Sequence, residues 1–275
     1  MTAGKLLPTA GVAGPAETAA GTAAETPGTA AETAGAGALG ETSLATARLL
    51  SAAEADEVRA DMYRERPAWL DRGYAFHTLG TPSYLDLAPE SRPGEYHRLA
   101  ALHRPLLWRR FGWLYDRLRA ALTELLAAPV RYTDTFALPG FHLWRTEAIF
   151  LRPRAPVHFD LQYQFFDWPE AVDRSWVLSF TLPIRMPVAG GGLNTWEVGY
   201  AAFLDAQRRG WVDGAGDLRR FHPLRYIPYT AGELVVHSGH LLHQVAPSPS
   251  VSEGDERLTL QGHGIWHTDH WLLYW

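Results

Sequence analysis

Cysteine is absent from the 275 residues. That removes thiol nucleophiles, disulfides, thiolate-ligated haem, iron–sulfur clusters and cysteine zinc sites together. Lysine is nearly absent as well: Lys5 is the single one, so Schiff-base and phosphate-loop lysines are missing from the rest of the chain. Any anion held here must be held by arginine, histidine, hydroxyls or backbone N–H groups. No apolar run approaches the ~18 residues that span a bilayer. No basic start precedes an apolar stretch of roughly 7–15 residues of the secretory kind. Formal net charge is 25 − 30 = −5. Glu17, Glu25, Glu32 and Glu41 offset only Lys5 in the first 44 residues, so the remainder carries 24 − 26 = −2. A basic footprint for nucleic acid is therefore lacking. The expectation is a cytoplasmic chain with neither a nucleic-acid nor a membrane partner.

Residues 1–44 are built from Ala, Gly, Thr, Glu and Pro, with TAAET at 22–26 and again at 29–33. Large apolar side chains are too few for a core, and the segment reads as a disordered tail. The folded domain is expected over 45–275, helical through 128 and β from 129 to 266. Leu49, Leu50, Ala53, Val58 and Met62 have helix-like spacing over 45–65. Residues 66–94 are rich in Pro and Gly and read as loops. Leu99, Leu102, Leu106, Phe111, Leu114, Leu118, Leu122 and Leu125 then mark the longest helix, over 95–127, with Pro105 as the expected kink or restart.

Beyond Pro129 the period moves towards two. The spacing predicts strands at 130–136, 141–150, 157–165, 176–183, 193–198, 233–237, 241–246 and 257–266, with an insertion at 199–224 holding a helix near 201–209. Helices followed by about eight short strands point to a mainly β fold with helices, a jelly roll with the N-terminal helices packed on one sheet.

Twelve histidines make their placement the central question. In a strand, His158 and Asp160 of His158-Phe159-Asp160 would share one face, and an imidazole beside a carboxylate is two thirds of a facial metal site. By composition one such pair arises by chance, and a rival exists at His267-Thr268-Asp269. The rival lies in the last nine residues, where no following strand is expected to supply a third ligand. Gly232–Ala246 reads as a strand, a Ser238-Gly239 turn and a returning strand with His243. His237 and His240 compete with His243 as third ligand. Further on, Arg257 and Thr259 share a strand face.

The order is thus HxD, a histidine 243 − 158 = 85 residues later, and an arginine 257 − 243 = 14 further on. That order resembles the Fe(II)/2-oxoglutarate-dependent oxygenases, over about residues 130–266. The resemblance implies a double-stranded β-helix. It implies Fe(II) on His158, Asp160 and His243, and dioxygen and 2-oxoglutarate as co-substrates. The far carboxylate of 2-oxoglutarate would lie on Arg257, helped by Thr259. It implies hydroxylation or desaturation of a C–H bond of a small molecule, such as an amino acid or natural-product intermediate. Halogenation is disfavoured, because related halogenases have a small residue where Asp160 stands. The charges agree: two neutral imidazoles and one carboxylate leave Fe(II) at about +1 with about three open positions on one face. A buried carboxylate needs a cation, and beyond Lys5 arginine is the only permanent one.

Gln162, expected on the face of His158 and Asp160, is a further candidate for 2-oxoglutarate or substrate. His142, Arg145, Asn194, Trp196, Arg152 and Arg154 are weaker pocket candidates, each with an ordinary packing or surface role as the alternative. Two other classes remain open: a metal-dependent cupin-like isomerase or hydrolase that uses no 2-oxoacid, and a non-catalytic β-sandwich that binds a ligand through its tryptophans.

Overall fold

Ser51 divides the stretch that apolar spacing reads as one helix. Its hydroxyl accepts from the Glu54 N–H at 3.2 Å while the Glu54 carboxylate accepts from the Ser51 N–H at 2.8 Å. This capping box starts α1, Ala52–Arg64. The residues before it form strand β1, Leu44–Arg48. Replacing Ser51 with alanine is expected to cost about 1 kcal/mol, measurable as a lower urea midpoint with an unchanged slope.

The computed structural model describes residues 40–87, 94–152, 155–169 and 171–275. Most of the expected tail, 1–39, lies outside them, as do the prolines at 89 and 93 and Arg154. Of the rest of that tail, Glu41 accepts from the Ala201 N–H at 3.3 Å and Leu44 pairs with His237. The fold therefore begins before residue 45.

The loop-rich region contains β2 (Leu70–Asp71), β3 (Phe76–Leu79) and the short α2 (Ser83–Asp86). Helix α3 runs over Glu95–Leu126 and passes through Pro105; its single non-helical residue is Phe111. The break thus falls beside Gly112, where Phe111 packs on Phe141 with ring centroids 4.6 Å apart. There follow β4 (Val130–Tyr132), β5 (Gly140–Arg145), β6 (Val172–Arg185) and β7 (Leu193–Gly199). The expected insertion holds α4 (Tyr200–Arg208), and β8 (Leu224–Ile227) begins at its last residue. The chain closes with β9 (Glu233–Ser238), β10 (Leu241–Val245), β11 (Glu256–His267) and β12 (His270–Tyr274). Strand β12 corrects the expectation that nothing regular follows His267.

Two sheets result. The larger has nine strands in the order β1-β9-β6-β11-β5-β3-β2, with β12 on β11 and β4 beyond it; the smaller is β10-β7-β8. All pairings are antiparallel except β12 with β4. Ala55, Val58 and Met62 of α1, and Leu107, Phe111, Leu114 and Leu118 of α3, share one buried cluster with Phe141, Phe180, Leu182, Val236, Leu258 and Leu260 of the larger sheet. Leu193 and Ile227 of the smaller sheet pack with Val235 of the larger. Among the described residues no helix is long and apolar enough to cross a membrane.

One expected strand is missing. Residues 157–165 form no strand: His158 makes an isolated bridge to His243, and Gln162–Phe165 is a 3-10 turn. Two backbone anchors replace the ladder. His158 and His243 exchange N–H···O bonds of 3.0 Å, and the Asp160 N–H donates to Gly239 O at 2.8 Å.

Candidate metal centre

Those anchors bind the segment to the β9–β10 turn and to β10, and they carry His158 and Asp160 to His243. One ligand atom from each of the three lies within 4.8 Å of the others. His158 Nε2 is 3.5 Å from Asp160 Oδ1, and His243 Nε2 is 3.3 Å from Asp160 Oδ2. The far ring nitrogens are also held: His158 Nδ1 lies 3.0 Å from Pro156 O and His243 Nδ1 lies 2.8 Å from Leu241 O. A carbonyl can only accept, so each Nδ1 carries a proton and each Nε2 faces Asp160, able to donate to the carboxylate when it too is protonated and to offer its lone pair to a cation when it is not. Imidazoles oriented by a carbonyl behind them are the usual arrangement of metal-binding histidines.

Burial alone would raise the Asp160 carboxyl, but the His243 charge and hydrogen bonds from His158 and His243 outweigh it and hold the group well below the usual range. For His158, burial lowers the imidazole, yet the hydrogen bond and charge of Asp160 prevail and raise it. Gln162 reaches this site from the 3-10 turn rather than along a strand face. Its Nε2 donates to Asp160 Oδ1 at 2.9 Å, while its buried Oε1 has no partner.

His237 and His240 stay outside the three-residue group. The His237 ring packs 4.7 Å from that of His243, its Nδ1 is 2.8 Å from Ser238 O, and burial pushes it down to about 3. His240 sits with Tyr163 and Tyr200 and faces Glu41 at 3.8 Å.

Arg257 is 2% exposed. Its Nε donates to Gly191 O at 2.8 Å. Its guanidinium lies over Trp144 and Tyr229, 5.1 and 5.7 Å from the ring centroids. Nη1 is buried without a partner, and no carboxylate among the described residues pairs with it. Burial lowers its pKa. Two residues on, buried Thr259 accepts from Gln261 Nε2 at 3.0 Å, which leaves its own O–H free to donate.

Three groups escaped the sequence reading. Tyr84 feels the charges of both Asp160 and Arg257, and its hydroxyl is 2.6 Å from His142 Nε2. It comes from the loop-rich region, where no periodicity marks it. Tyr229 gave no signal either. His263, with Nδ1 3.0 Å from Ser179 Oγ, was traceable: counting in twos from Arg257 along β11 reaches it. Of the weaker candidates, Trp196 packs with Phe159 and Leu242, and Asn194 donates to Gln244 Oε1 at 3.3 Å. His142 is buried, whereas Arg145 and Arg152 are exposed.

No protein-family pattern matches the sequence, and no curated protein matches it. Solved structures do. An N-substituted L-amino acid dioxygenase from Burkholderia ambifaria AMMD is 16% identical, with 84% of this chain and 85% of that one covered and a TM-score of 0.52. The same enzyme in complex with alpha-KG is 15% identical over 84% and 85%, with a TM-score of 0.51. At that level of identity the likeness concerns architecture: this chain shares its fold with the Burkholderia dioxygenase.

Proposed function

We propose that this chain is an Fe(II)- and 2-oxoglutarate-dependent oxygenase that hydroxylates or desaturates a C–H bond of a small molecule, such as an amino acid or natural-product intermediate. The single observation that carries the reading is Arg257. A buried guanidinium with a vacant N–H and no carboxylate partner is costly unless an anionic ligand completes it, and Arg257 lies on the same interior as an Asp–His–His cluster. The dioxygenase that shares this fold has been crystallised with alpha-KG, which supports 2-oxoglutarate as the anion. The architecture that goes with the reading is a double-stranded β-helix with α1 and α3 on the larger sheet, supported by the cluster they share.

The donor set fits Fe(II): two neutral imidazoles and one ionised carboxylate from one side suit a borderline divalent cation and leave the opposite side open. His158, Asp160 and His243 would hold the metal, with Gln162 orienting Asp160. Bound iron and 2-oxoglutarate supply a dioxygen-dependent oxidation in which R–H, O2 and 2-oxoglutarate become R–OH, succinate and CO2. Arg257 binds the far carboxylate through its fork; Thr259 adds a hydroxyl donor. Trp144 and Tyr229 exclude water from that ion pair, which strengthens it.

The test is an anaerobic titration with Fe(II) and 2-oxoglutarate. A weak visible charge-transfer band is expected, followed by succinate release when oxygen and candidate substrates are admitted. A metal isomerase or hydrolase that uses no 2-oxoacid would bind iron but show no band on adding 2-oxoglutarate, and that result rejects the proposal.

A further inference from the structure

We propose that the β11–β12 hairpin carries a second metal site, in which His267, Asp269 and His270 take a borderline divalent cation such as Zn2+. It stands independently of the oxygenase reading.

The rival triplet of the sequence gains its missing third ligand from β12. His267 and His270 are the register pair that closes the hairpin, with only Thr268 and Asp269 between them. Residues directly opposite in an antiparallel pair project their side chains from the same face, and the two rings lie with centroids 4.8 Å apart. One ligand atom from each of His267, Asp269 and His270 lies within 4.8 Å of the others, the same limit that His158, Asp160 and His243 meet.

Two further observations point to a ligand. His267 Nδ1 is buried and has no hydrogen-bond partner, an unmet group of the kind folded proteins normally satisfy. The turn itself runs against its own sequence: two-residue hairpins favour Asn-Gly, yet here β-branched Thr268 takes the left-handed region at φ 45°, where such residues are strained. The chain accepts that strain while holding the closing histidines together.

The donors select the ion. Two imidazoles with one carboxylate suit Zn2+, Ni2+ or Cu2+, whereas Mg2+ and Ca2+ require oxygen. Asp269 Oδ1 is 2.7 Å from His270 Nδ1, and the Asp269 side chain is 75% exposed, so water can complete the coordination sphere. Arg131, on the neighbouring β4, acts on Asp269 and opposes a cation, which weakens the site. The site is remote from Arg257: 267 − 257 = 10 residues of β11 span roughly 33 Å at ~3.3 Å each. An ion here clips β12 to β11 and so acts on stability.

The test uses the full chain without added histidines and with His158→Gln and His243→Gln, titrated with Zn2+ against a chromogenic chelator. One equivalent is expected at micromolar dissociation constant, together with a rise in melting temperature. Asp269→Asn, at an exposed position that leaves the fold intact, should weaken binding about tenfold. His267→Ala with His270→Ala should abolish it, and Arg131→Gln should tighten it severalfold. Should the doubly substituted parent fail to fold, the unaltered chain gives the same answer, two equivalents falling to one in His267→Ala. Zinc affinity weaker than millimolar, or one unaffected by Asp269→Asn and His267→Ala, overturns the proposal.

Discussion

Arg257→Met is expected to raise the 2-oxoglutarate concentration for half-maximal turnover by roughly a hundredfold to several thousandfold. Removing one partner of a buried charge pair costs about 3–5 kcal/mol, and each ~1.4 kcal/mol is tenfold in affinity. The same substitution should behave differently without co-substrate. Arg257 is buried with Nη1 unpartnered, so the metal-free, ligand-free protein already bears an uncompensated cation. Methionine keeps the apolar contact with Trp144 and Tyr229 and removes that charge. The apo protein should then melt no lower than the parent, while the rise in melting temperature on adding 2-oxoglutarate disappears. Arg257→Lys should recover little, because an ammonium lacks the planar fork. Unchanged 2-oxoglutarate dependence in Arg257→Met would remove the main support for the oxygenase reading and favour a metal enzyme of another class.

Substitutions at the three-residue cluster should be more severe for turnover. Even a change to a residue that merely orients a ligand costs about 10–100-fold in metal affinity, so loss of a ligand should exceed 100-fold. Asp160→Gly is expected to abolish hydroxylation, because it removes the only anion and leaves two neutral imidazoles. His243→Gln isolates metal binding from folding. A glutamine amide can still donate to Asp160, whose carboxylate is held down by its His243 and His158 neighbours, but it is a poor ligand for iron. The apo melting temperature should stay close to the parent's while the charge-transfer band vanishes. Turnover that survives Asp160→Gly would reject the assigned cluster.

The physical basis of these predictions was unevenly visible in the chain. The leucine rows of α3 follow from burial on one face, a property of neighbouring residues, whereas β6, β7, β9, β10 and β11 are legible as short apolar runs bounded by Pro and Gly, and both of their faces are largely buried. Where a backbone is shaped by a distant partner, the reading failed. Segment 157–165 alternates like a strand but is held by His243 and Gly239, some 80 residues away in the chain. β1 is a strand because the edge of β9 accepts it, although most of it falls within the stretch 45–65 that reads as helical. α3 continues through Pro105 and breaks at Phe111, where packing on Phe141 decides. β12 was invisible beside the chain end; its pairing with β11 and β4 makes it.

By itself the sequence determined which chemistry was open to this protein. With no cysteine and a single lysine in its first residues, an anionic ligand had to meet arginine, histidine, hydroxyls or backbone N–H groups, and a metal had to meet histidine and carboxylate. The spacing of His158, Asp160, His243 and Arg257 named the groups. Only the tertiary structure decided that the two Nε2 atoms converge on Asp160, because the exchanged N–H···O bonds of His158 and His243 bring together segments 85 residues apart, while the carbonyls of Pro156 and Leu241, each two residues before its histidine, hold the Nδ1 protons. It alone decided that Arg257 lies buried without a carboxylate partner, that Tyr84 and Tyr229 share its surroundings, and that His263 feels the charge of Asp160. Residue types set what a side chain can donate or accept; the direction and dryness of each group depend on contacts between segments far apart in the chain, which no local pattern records.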